Sequence, residues 1–140
     1  MDPVPARPQL RQVVLDTEDA RGLAEFYRRL LGLEYRPGDD APPPPHELDD
    51  ADWLVLRGDS GMALAFQQVA DVPRSTWPDP GQAQMLHLDM TVDGVDELHR
   101  QRDRAVALGA EVLQDRSGDV EEPLFVLADP AGHPFCIFVA

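Results

Sequence analysis

LLGLEY at residues 30–35 and ALGAEV at residues 107–112 are one short phrase written twice. Each closes an apolar helical stripe with a glycine, Gly32 or Gly109, at the position where a helix commonly stops. Upstream of the first copy, Asp19 is placed to cap a helix in which Leu23, Phe26, Tyr27, Leu30 and Leu31 recur at helical spacing. LRQVVL (10–15) precedes that helix and reads as a strand. Upstream of the second copy, Asp93 is placed to cap a helix carrying Val95, Leu98, Ala105 and Val106. Its acids Asp96 and Glu97 come early and its arginines late, as the helix dipole favours. QMLHLDMTV (84–92) is the strand before it. Downstream of the first copy lies an acidic, proline-rich loop (37–50), then strands at 52–57 and 62–69 around the Gly58–Gly61 hairpin. Downstream of the second copy are strands at 110–114, 122–128 and 134–139, the last two joined across Asp129–Gly132. The order strand, helix, strand, strand, strand therefore occurs twice. The expectation is one α+β domain over residues 1–140, built of a βαβββ module at 9–69 and another at 84–139, joined by a connector at 70–83.

Composition narrows the function. A chain of 140 residues can bury a core without disulfides. A net charge of -14 repels phosphate backbones and anionic lipid, so neither nucleic acid nor a membrane surface is expected as a partner. All 12 basic residues are arginine, which leaves no lysine for Schiff-base chemistry. Cys136 is the one cysteine, and the N-terminal MDPVPARPQL shows no apolar leader, so a reducing, cytoplasmic setting is expected. No phosphate loop, CxxC or HExxH pattern occurs.

Strand parity locates the polar side chains. On 84–92, His87 and Asp89 share one face, while Leu86, Leu88 and Met90 share the other. On 10–15, Gln12 and Val14 share a face. The apolar face should meet the helices, which turns Gln12, His87 and Asp89 toward the opposite, concave side.

FYRRLLGLEY (26–35), MLHLDMTVDGVDEL (85–98), LGAEV (108–112) and LADPAGHPFCIF (127–138), taken in order, resemble the vicinal oxygen chelate superfamily. That superfamily holds glyoxalase I, bleomycin-resistance proteins and extradiol dioxygenases. The likeness spans residues 10–139 and is nearest to the small glyoxalase-like members. It implies two βαβββ modules whose mostly antiparallel, curved sheets form a cup, and frequent homodimers. It also implies a divalent metal held by four side chains, one from the first and last strand of each module. Carried over by position, these are Gln12, Ala65, His87 and Cys136, with Gln67 on the face of Ala65. Cys136 stands where the metal-binding members carry glutamate.

Ligand count decides how far the metal is expected. Ala65 donates nothing, Gln12 and His87 are neutral, and the carboxylates are missing. A set of Gln12, His87 and Cys136, helped by Gln67 or Asp89, suits zinc better than a hard ion. The expected protein is therefore a cup, lined by Gln12, Val14, Trp53, Ala65, Gln67, His87, Asp89, Cys136 and Phe138, that binds a small organic molecule without the usual metal. One alternative is a lyase, isomerase or dioxygenase using zinc, nickel, manganese or iron. Another is a structural or regulatory dimer with a vestigial pocket. Cys136 is read as a small buried hydrophobe, and His87 as a hydrogen-bonded pocket histidine or a general base. Trp53 and Trp77 are read as packing, with pocket closure as the alternative. His99 is placed on a helix surface, His133 exposed in a turn, and His46 in a solvated loop.

Overall fold

The computed structural model describes residues 7–42, 49–83 and 85–140. The elements are β1 (Val13–Thr17), α1 (Ala20–Leu31), β2 (Glu34–Tyr35), β3 (Trp53–Arg57) and β4 (Ala63–Gln68), then β5 (Leu88–Val92), α2 (Val95–Ala107), β6 (Glu111–Arg116), β7 (Leu124–Ala128) and β8 (Pro134–Val139). The duplicated βαβββ order and the α+β class read from the sequence are both present. They form two separate four-stranded mixed sheets, ordered β1-β4-β3-β2 and β5-β8-β7-β6. In each sheet the first strand runs parallel to the last, and the remaining neighbours are antiparallel.

Local chemistry explains most of the boundaries. Asp19 accepts a hydrogen bond from the Gly22 N–H at 3.0 Å and caps α1, while Gly32 ends it at φ 68°. The Gln68 side chain accepts from the Ala20 N–H at 2.8 Å and donates to the Glu18 carbonyl, which fastens the start of α1 to the end of β4. α2 departs from expectation. Gly94, and not Asp93, occupies its cap position in extended backbone, and no side chain caps it. Asp93 stands one residue too early to reach the free amides of the first turn. Of its four anticipated apolar residues, Leu98 and Ala105 are buried, while Val95 and Val106 are exposed.

Both leading strands start three or four residues later than the sequence reading placed them. β5 begins at Leu88, paired with Phe135, because Pro134 offers no N–H to extend the parallel ladder. β1 begins at Val13, paired with Leu64. Gln12 and His87 therefore each lie one residue ahead of their strand.

One apolar core joins the modules. Phe26 and Tyr27 of α1 and Phe66 of β4 share it with Leu98 of α2, Phe125 and Leu127 of β7, and Phe135 of β8. Phe26 and Phe135 meet at 6.0 Å between ring centroids, across the two modules. Inside this core the Tyr27 hydroxyl donates to Asp129 Oδ2 at 2.6 Å. Asp129 Oδ1 accepts from the Ala131 and His133 amides, so the buried carboxylate holds the turn that launches β8. The Arg104 side chain reaches from α2 to the carbonyls of Arg29 and Leu30, which the end of α1 leaves without helical partners. Among the described residues, no helix is long and apolar enough to cross a membrane.

Candidate functional site

The registers of the two sheets correspond strand for strand. Val14 pairs with Ala65 in the first sheet, and Asp89 pairs with Cys136 in the second. Each pair lies on the face turned away from the shared core, at the start of the parallel ladder. The first module thus presents two apolar side chains where the second presents a carboxylate and a thiol.

His87 completes the second group. Its Nε2 lies 3.1 Å from Asp89 Oδ1. The Trp77 indole, from the connector, stacks on the imidazole at 4.9 Å with an interplanar angle of 16°. One donor atom from each of His87, Asp89 and Cys136 falls within 4.8 Å of the other two. Cys136 forms the floor, buried beside Leu124, Val126, Phe138, Leu113 and Trp77. The Asp89 side chain is 55% exposed, so the group opens to solvent on that side. Burial pushes the Cys136 thiol up to about 11, and the nearby Asp89 and Glu122 carboxylates act in the same direction. Unligated Cys136 is therefore a neutral thiol at physiological pH and a poor nucleophile.

Two cavities flank His87. One, of about 400 Å³, is bounded by Val14 and Leu15 of β1, His87 and Leu88, the turn residue His133, and the connector around Arg74–Thr76. The other, of about 580 Å³, lies between the modules and is lined by Val13, Leu31, Leu33, Met62, Leu88 and Met90 together with His87 and Asp89.

The anticipated site residues fall into distinct groups. Val14 and His87 face the same cavity, and His87, Asp89 and Cys136 form the polar cluster, with Phe138 half-buried beside Cys136. Ala65 is fully buried in an apolar cluster with Val55, Ala63 and Trp53. Gln67 is exposed and registers with Asp16 and Trp53, and Gln12 is half-buried ahead of β1, outside both cavity linings. His46 lies outside the described residues.

Three side chains carry more than the sequence reading assigned them. Trp77, read first as packing, forms one wall of the His87 environment; the turn-forming PDPG that follows it was the available signal. His133, expected to be exposed, places Nε2 2.6 Å from the Asp16 carbonyl oxygen and so links β8 to β1. No local pattern announces a link between modules. His99, expected on the surface, is half-buried with its ring edge-on to Phe125 at 5.6 Å.

The donor set can be tested against a divalent metal. Ligand bonds of about 2.0–2.3 Å require donors a few ångströms apart, and one donor atom from each of His87, Asp89 and Cys136 lies within 4.8 Å of the other two. One imidazole, one carboxylate and one thiolate fit zinc, and fit magnesium or manganese poorly. A zinc ion held there would act as a Lewis acid toward a water or carbonyl oxygen on the open side.

These features define a class. The sequence matches the glyoxalase-like domain family over residues 12–138, and the chain belongs to that family. Its fold is shared with a glyoxalase/bleomycin resistance protein/dioxygenase family enzyme from Burkholderia phytofirmans PsJN, at 17% identity and TM-score 0.65, covering 92% of this chain and 96% of that one. A glyoxalase/dioxygenase from Nostoc punctiforme is similar at 18% identity and TM-score 0.63, covering 99% and 97%. The fosfomycin resistance protein FosX from Listeria monocytogenes is similar at 14% identity and TM-score 0.67, covering 96% and 95%. A mutant form of that FosX was crystallised with Mn(II) and a dihydroxypropylphosphonic acid. No curated protein matches the sequence. The resemblance to the vicinal oxygen chelate superfamily therefore stands, and at these identities the structural likenesses establish the fold alone.

Proposed function

We propose that the protein binds a small organic molecule in the cavity between β1, the start of β5 and the connector, without the usual metal of its superfamily. The supporting observation is the cavity of about 400 Å³ to which both modules contribute. Val14 and Leu15 make one side apolar, and His87 and His133 offer polar groups on the other. That size and that balance suit a small ligand with an apolar body and one hydrogen-bonding end. Trp77 stacked behind His87 holds the imidazole in one orientation toward such a ligand.

A thermal-shift screen of aromatic and polycyclic compounds tests this reading. A ligand at 100 times its Kd stabilises the folded state by about 2.7 kcal/mol. For a domain of this size that raises Tm by roughly 5–10 °C. Val14→Trp, which fills the cavity from β1, should remove the shift, while Val14→Ala should keep it. Absence of any stabilising compound, or an undiminished shift in the tryptophan variant, would overturn the proposal.

The working assembly under this reading is a homodimer in the cytoplasm. Leu31, Met62 and Leu86 are 41%, 54% and 55% exposed around the larger cavity, an apolar rim that a second copy would cover. A lone cysteine kept as a thiol fits a reducing compartment.

A further inference from the structure

We propose that the connector at 70–83 is an autoinhibitory strap: its Trp77 indole covers the outer face of the second sheet in place of a ligand, and a flat aromatic molecule reaches that face by exchanging with the indole against His87. Trp77 lines neither of the two cavities described above, and the inference does not depend on the ligand proposed for the smaller one.

The strand correspondence shows that this indole comes from outside the module. Val14–Ala65 in the first sheet matches Asp89–Cys136 in the second. Trp53, opposite Gln67, therefore matches Leu124, opposite Phe138. The first sheet closes its outer face with that tryptophan of its own, packed on Val55, Ala63 and Ala65. The second sheet has leucine at the matching place, and Trp77 from the connector packs over Leu124, Val126 and Cys136 instead. The indole also lies flat on the His87 imidazole, 4.9 Å between centroids. Stacking on a polar ring above an apolar floor that contains sulfur is the contact a planar aromatic ligand makes.

Side chains, and not backbone, hold the strap down. Among the described residues, the backbone of 70–83 makes no backbone hydrogen bond to either sheet. Its one backbone bond is internal, from the Asp79 N–H to the Thr76 carbonyl at 2.9 Å. The Ser75 hydroxyl accepts from the Trp77 N–H at 3.2 Å, which shapes the strap without anchoring it. Arg74 lies close over Gly132, and its guanidinium meets Glu111 at 3.3 Å, with both side chains more than half exposed. An exposed pair of that kind contributes little. A segment held this way opens locally at a lower free energy than the sheet beneath it. A tryptophan fixed in the core is the alternative for the same contacts; it would leave only with global unfolding.

Cys136, the one cysteine, lies under the indole at 7% exposure and reports the strap. The test is the rate at which dithiodipyridine labels it, at fixed pH and increasing low denaturant. In the unmodified protein the expected labelling goes through local opening, faster than global unfolding allows and insensitive to low denaturant. Trp77→Ala should raise the rate by roughly tenfold or more, since it removes a large half-buried side chain. Trp77→Phe, which keeps a ring, should raise it less. Millimolar indole should slow labelling of the Trp77→Ala protein again by refilling the vacated place. Far-ultraviolet dichroism and Tm control for folding; should Trp77→Ala not fold, Trp77→Phe and the denaturant dependence of the unmodified protein carry the test. Labelling of the unmodified protein only through global unfolding, a rate unchanged by either substitution, or no slowing by indole would each overturn the inference.

Discussion

Tyr27 and Asp129 lie 102 residues apart in sequence and share one of the shortest hydrogen bonds in the core, at 2.6 Å. Tyr27 is fully buried, and Asp129 is 1% exposed. Burial raises the Asp129 carboxyl against the lowering pull of the Tyr27 hydroxyl, and burial together with the Asp129 charge raises the Tyr27 phenol well above 10. Tyr35, the second of the chain's two tyrosines, is pushed up to about 12, chiefly by burial, although Arg21 beside it pulls the other way. A phenol raised in the folded state stabilises the fold fully below its unfolded value near 10, and that stabilisation is lost as pH rises through the folded value. Tyrosinate absorbance should therefore stay flat through pH 10 and then rise together with loss of structure; a phenol that titrates near 10 with the fold intact would contradict this. Tyr27→Phe leaves Asp129 Oδ2 without its donor and should cost about 1–3 kcal/mol, read as a lower denaturant midpoint at unchanged slope. Nothing in the local sequence around either residue announces this pair, because a buried polar partner is chosen by the meeting of two modules.

At the scale of elements, two glycines show how a helix stop differs from a packing constraint. Gly32 ends α1 at φ 68° with nothing within 4 Å of an added Cβ. Gly32→Ala should cost only the left-handed backbone penalty of about 1–2 kcal/mol. Gly132, at φ 96°, would place a Cβ 2.8 Å from the Arg74 Cγ and 3.2 Å from its Cα. Gly132→Ala carries the same backbone penalty and also pushes the connector off the second sheet. Its expected signature is a larger stability loss than Gly32→Ala, with altered tryptophan fluorescence as Trp77 leaves His87. Equal losses and unchanged fluorescence would contradict this role for Gly132. The Gly32 stop was readable from LLGLEY, since the apolar period and the glycine are neighbours. The Gly132 contact was not, because Arg74 comes from a connector whose sequence says only that it turns.

The whole molecule is held as one unit by contacts that cross between modules: the shared aromatic core, the Tyr27–Asp129 bond, the bond from His133 to the Asp16 carbonyl, and Arg104 on the end of α1. Unfolding should be a single cooperative transition, with tryptophan fluorescence and far-ultraviolet dichroism coincident in denaturant. Two separated transitions would show that the modules fold independently. Light scattering on the purified protein tests the proposed dimer. A mass of twice 15.5 kDa is expected, and Met62→Glu or Leu86→Glu on the apolar rim should shift it toward one copy. A monomer at micromolar concentration would remove the dimer from the proposal.

The sequence alone determined the duplicated βαβββ plan, because strand and helix periods, caps and glycine stops are local and each phrase occurs twice. It also determined that His87 and Asp89 share a face, since strand parity needs no knowledge of the partner strand. Only the tertiary structure decided which side chains meet. It placed Asp89 beside Cys136, Trp77 over His87 and His133 on β1, and it left Ala65 in an apolar cluster. The physical reason is that register and connector path are settled by burial of the common core, and no short-range pattern records that outcome.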